Sequence, residues 1–115
     1  MTTEPAAVDA IGRDFVARRR EGVVSVEIEG DVILYDEERE LSHLLNPSGA
    51  IIWQLLDGEA SLEELVVDLA EAFHVDTGTV ESDVLTLVRE LGRRGLIENV
   101  VGDPDAGASL EPFAR

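Results

Sequence analysis

A chain of 115 residues, 44% of them hydrophobic, is sized for one domain with a real core and leaves little room for two. Its formal net charge of -16 repels phosphate backbones and anionic lipid, so neither nucleic acid nor a membrane surface is an expected partner. The absence of cysteine excludes disulfides, thiolate catalysis and zinc–thiolate sites. No stretch approaches the roughly 20 apolar residues of a membrane span, and Met1-Thr2-Thr3-Glu4-Pro5 opens no secretory signal, so a cytoplasmic location is expected.

Residues 1–20 hold no sustained period. Val8, Ile11 and Phe15 can line one side of a short helix, but Gly12 weakens it. This stretch is expected to be an N-terminal extension, mobile or loosely docked, with Arg18-Arg19-Arg20 as a solvated flank. From Val23 the period becomes two. Val24, Val26 and Ile28 alternate with Ser25, Glu27 and Glu29, the pattern of a half-buried strand. Glu29-Gly30-Asp31 is turn chemistry, Val32-Ile33-Leu34-Tyr35 a second strand, and Asp36-Glu37-Glu38-Arg39 a polar turn. Glu40, Leu41, Ser42, His43, Leu44 and Leu45 make a third strand. Short connections imply an antiparallel meander, which leaves the third strand unpaired along one edge.

Three helices follow. Asn46 is a good N-cap, Pro47 suits the first helical position, and Gly58 can end the helix. Ile51, Ile52, Leu55 and Leu56 cover one broad face and Trp53 points elsewhere, so this helix is expected at the centre of the domain. Ser61 and Glu64 form a capping box for a second helix carrying Leu62, Leu65, Val66, Leu69 and Phe73. After a tight turn at His74-Val75-Asp76, Val80, Val84, Leu87 and Leu91 mark a third helix that closes at Arg93-Arg94-Gly95. Leu96 and Ile97 then pack back, and residues 99–115 read as a flexible tail. The fold class is α+β: a three-stranded antiparallel sheet followed by three helices over residues 21–98.

The search for chemistry is mostly negative. His43 and His74 have no metal-site spacing, and Glu37-Glu38 and Glu63-Glu64 point apart. There is no phosphate loop or nucleophile elbow, so neither catalysis nor a cofactor nor a metal is expected. The apolar arc of the third helix extends on one side through Leu85, Val88 and Gly92 to Arg89. It is either a wide core stripe or the wall of a shallow groove. Three readings stay open. A winged helix-turn-helix regulator would present Asp76, Glu81 and Asp83 to phosphates, which counts against it. An extended peptide could instead add to the free strand edge, with the groove giving specificity. A purely structural subunit is the third.

The ordered series Leu45-Asn46-Pro47-Ser48-Gly49-Ala50-Ile51-Ile52-Trp53, Leu56-Asp57-Gly58, Ser61-Leu62-Glu63-Glu64-Leu65 and Asp83-Val84 through Leu91 to Arg94-Gly95-Leu96-Ile97 resembles the PqqD family. The resemblance implies a winged helix-turn-helix-like domain without catalysis that binds the leader of a ribosomally made precursor peptide along the third strand and third helix. It would present that leader to a modifying enzyme, a radical S-adenosylmethionine enzyme in pyrroloquinoline quinone synthesis or a leader peptidase in some lasso-peptide systems. The candidate site is then Glu40, Leu41, Ser42, His43, Leu44 and Leu45 for backbone pairing, Leu85, Val88 and Gly92 as apolar wall, and Arg89 to pair with an acidic leader residue. The oligomeric state, a homodimer included, is left open.

Overall fold

The structure is a computed structural model and describes residues 6–100. In chain order its elements are a 3-10 turn (Val8–Ala10), β1 (Val16–Arg18), β2 (Val23–Ile28), β3 (Asp31–Asp36), β4 (Leu41–Leu45), α1 (Pro47–Gln54), β5 (Asp57–Ser61), α2 (Leu62–Phe73) and α3 (Thr77–Arg93). The expected α+β class, a three-stranded antiparallel sheet and three helices, is what the chain forms.

The strands β2, β3 and β4 lie side by side in that order. Glu29 and Gly30 both take positive φ, 52° and 90°, which makes the tight two-residue turn that suits the twist of a hairpin. That turn sets Ile28 opposite Asp31 and fixes every later pair. Val32, Leu34 and Asp36 of β3 and His43 and Leu45 of β4 face inward and are buried. α1 packs on β3 and β4. In the same register Val24, Val26 and Ile28 fall on the outer face, and each is 44–50% exposed. The strand and its alternation are as expected, but its apolar side faces solvent, because β3 buries its own Val32 and Leu34 on the opposite side.

Local signals account for the helix starts. Asn46 Oδ1 accepts from Gly49 N at 2.9 Å, and Ser61 and Glu64 complete a reciprocal capping box. Asp76 Oδ2 accepts from Thr79 N at 3.2 Å. The end of α1 differs from expectation. The helix stops at Gln54, and Gly58, with φ +80°, lies in β5. Asp57 Oδ1 accepts from Glu59 N and Ala60 N, which turns the chain into that strand.

β5 pairs antiparallel with β1 to make a second, two-stranded sheet. Neither strand shows in the sequence periodicity. The region marked as an extension, residues 1–20, is described from Ala6 onward, and that part is tied in along its length. Ile11 and Ala17 are 0% and 1% exposed. Leu62 N donates to Phe15 O at 2.9 Å, Glu98 N to Arg18 O at 2.9 Å and Ala6 N to Asn99 O at 2.7 Å. The expected flexible tail lies, beyond Val100, outside the described residues.

Candidate functional site

β4 is bonded to β3 alone among the described residues, so its other edge presents unpaired backbone groups. Leu41, Ser42 and Leu44 are half-buried there, His43 and Leu45 buried, and Glu40 precedes the strand exposed, with φ 56°. Five of the six positions singled out in the sequence, Leu41 to Leu45, thus lie in the strand whose outer edge is free, and Glu40 ends the turn that leads into it.

The C-terminal end of α3 approaches this strand. The Arg94 guanidinium is 3.3 Å from His43 Nδ1, and Arg94 Nε donates to Glu90 Oε1 at 3.1 Å. Arg39 NH1, from the turn before β4, donates to Arg94 O at 3.0 Å. The α3 flank beside β4 therefore carries Glu90 and Arg94, one and two turns beyond the exposed Thr86 and Asp83 on the same side. The one signal of this flank in the sequence is the Glu90–Arg94 spacing of four, that of a helical ion pair.

Leu85, Val88, Arg89 and Gly92 stand elsewhere. At about 100° per residue, Leu85 and Arg89 lie roughly 140–180° around the helix from Arg94. There the N-terminal segment covers them. Arg89 Nε and NH2 both donate to Ile11 O, at 3.1 and 2.9 Å. Val88 has no exposed surface, and a Cβ on Gly92 would sit 2.8 Å from Val100 Cγ1 and 3.3 Å from Ile11 Cδ1. Arg13 pairs with Glu81 one turn before Leu85. Leu85 and Arg89 keep partial exposure, and Val88 and Gly92 are buried. The structure brings the strand residues together with each other, and the helix residues together with residues 8–13, but not the two sets with one another.

The edge is backed by a buried polar cluster. Asp36 is fully buried, 2.6 Å from Arg20 NH2. Burial pushes its carboxyl upward, but Arg20 and the backbone N–H groups of Arg39 and Glu38 outweigh that and leave it below the usual carboxylate range. Burial, and then the Arg94 charge, push the His43 imidazole below its ordinary value, so the ring is neutral. With Nδ1 facing the Arg94 donor, the proton belongs on Nε2, which has no hydrogen-bond partner among the described residues. No group of three or more metal-ligating side chains occurs among the described residues. The arrangement suits capture of an extended chain.

A family model described as coenzyme PQQ synthesis protein D (PqqD) matches residues 31–97. The chain belongs to the PqqD family. A relative, the PqqA binding protein of Rhizobium meliloti (strain 1021), is 33% identical over 73 residues, 64% of this chain and 72% of that protein. The structure of TbiB1 in complex with the TbiA(beta) leader peptide matches with a TM-score of 0.64 and 30% identity, covering 73% of this chain and 98% of that one. The match to TbiB1 accords with the PqqD fold, three strands and then three helices, expected from the residues. No helix among the described residues is long and apolar enough to cross a membrane.

Proposed function

We propose that this PqqD-family chain is a non-catalytic carrier that takes the leader of a ribosomally made precursor peptide as an added strand on β4. It then presents the peptide to a modifying enzyme, a radical S-adenosylmethionine enzyme or a leader peptidase. The observation that carries this reading is the unpaired β4 edge lying beside the Glu90–Arg94 flank of α3. The relative named for binding PqqA and the leader complex of TbiB1 support the ligand class. A backbone hydrogen bond is worth only about 0.5–1.5 kcal/mol net, so side-chain contacts with Leu41, Ser42 and Leu44 must supply the remaining affinity. Leu85, Val88, Arg89 and Gly92 join the site only where residues 8–13 lift from α3; edge pairing needs no such movement. The carrier works in the cytoplasm, where such peptides are made, and strand addition needs only one copy of the chain.

The test is a titration with synthetic PqqA carrying single backbone N-methyl groups. Strand addition turns every second N–H of the peptide toward β4. Binding should disappear at alternate positions of the paired segment and survive at those between. Even tolerance along the whole peptide rejects strand addition, and no binding by PqqA or by the TbiA(beta) leader rejects the carrier.

A further inference from the structure

Peptide binding along the β4 edge leaves the outer face of the β2–β3–β4 sheet unused. Residues directly opposite in antiparallel strands share a face. One row across the sheet is Val26, Ile33 and Leu44; the next is Val24, Tyr35 and Ser42; and Ile28 lies beside them. Val24, Val26, Ile28 and Tyr35 are 44%, 49%, 50% and 37% exposed. The polar residues of β2, Ser25 and Glu27, point the other way. A strand that turns its valines to solvent and its polar residues toward the core side gains nothing in the isolated fold, and a contiguous apolar patch of this kind marks an interaction surface.

Charge indicates what covers it. Glu29 and Asp31 stand at one end of the hairpins, and Glu37, Glu38 and Glu40 at the other. None of these five has an ion-pair partner among the described residues. The nearby cations are turned away: Arg20 to Asp36, and Arg39 to Arg94 O and Gly95. A second copy would bring the same acidic ends and another formal charge of -16 to the contact. A partner with an apolar centre and a basic rim would be attracted. The face is also continuous with the peptide edge, because Leu44 belongs to both. A peptide strand beside β4 would lengthen the Val26–Ile33–Leu44 row and turn alternate side chains toward whatever sits on it.

We propose that this outer face, centred on Val24, Val26, Ile28, Ile33 and Tyr35, docks the enzyme that receives the peptide, through an apolar patch rimmed with lysine or arginine. The inference rests on the carrier reading, and its test separates the two. The triple variant Val24→Thr, Val26→Thr, Ile28→Thr keeps β-favouring residues at exposed positions away from β4. The probes are synthetic PqqA and the radical S-adenosylmethionine enzyme of pyrroloquinoline quinone synthesis, titrated separately and together. The expected result is enzyme binding weakened by about tenfold or more, with PqqA affinity kept within about twofold. A second variant, Glu29→Gln, Glu37→Gln, Glu38→Gln, should weaken enzyme binding and flatten its salt dependence. Unchanged enzyme affinity in the first variant overturns the proposal, as does a parent chain that binds PqqA but not the enzyme. Self-association of the parent chain, abolished by the threonine substitutions, assigns the face to a second copy and also overturns it. A parent chain that binds the enzyme but not PqqA overturns the carrier reading alone.

Discussion

His43 has no exposed surface and sits in the middle of the strand that offers the free edge. Its folded-state pKa is depressed by burial and by Arg94, so the folded chain takes up the proton later than the unfolded chain does. Stability is then fully present above the unfolded value, near 6.5, and is lost as pH falls through the interval below it. Asp36, depressed from a lower ordinary value, acts only in more acidic solution. Thermal midpoints measured from pH 8 to pH 5 should fall below about pH 6.5, and His43→Gln should flatten that slope. Equal slopes would remove His43 as the cause. Arg89 offers a second residue-level test. Hydrogen bonds from a charged group contribute about 1.5–3 kcal/mol, so Arg89→Met should lower stability by that order in a urea titration. It should speed amide exchange around Ile11 while leaving PqqA affinity unchanged; a marked loss of affinity would return this flank to the peptide site. The caps at Asn46, Ser61 and Asp76 were legible in the sequence because their partners lie three residues away. The bond from Arg89 to Ile11 was not. A helical wheel shows which residues leave the core stripe and says nothing of what covers them.

At the scale of elements, legibility followed length and period. β2, β3 and β4 announce themselves by alternation and a turn glycine, and the open edge of β4 follows from counting a meander. β1 has three residues, too few to show a period, and β5 begins Asp57-Gly58-Glu59, which reads as a turn. Together these two strands bring the N-terminal segment back across the domain, with Ile11 over Gly92 of α3. Gly92 therefore marks a close approach of this protein's own chain, where the sequence alone allowed a ligand's. Gly92→Ala would set a Cβ 2.8 Å from Val100 Cγ1, tighter than packing tolerates. Overpacking of this kind costs about 1–3 kcal/mol. Val100→Ala in the same chain should recover part of that loss, so the double-mutant cycle in urea should be strongly non-additive. Strict additivity would mean that the two side chains do not meet.

Across the whole molecule, charge is arranged as well as abundant. The nine basic residues are all arginine. Most are occupied internally: Arg13 with Glu81, Arg18 with Glu98, Arg20 with Asp36, Arg93 and Arg94 with Glu90, and Arg39 and Arg89 with backbone carbonyls. Carboxylates dominate what remains, including Asp76 and Asp83 at the start of α3, the end a winged-helix regulator would place in the major groove. DNA affinity comes largely from cations that displace counterions from phosphates, and this surface offers few. A gel shift with mixed duplex should show no retardation even at low salt, where any electrostatic attraction is strongest. Retardation that salt reverses would mean that the arginines leave their internal partners to meet phosphate, and the regulator reading would regain its footing. The same low-salt condition should strengthen binding of a basic-rimmed protein, so one salt series sets the two partners against each other.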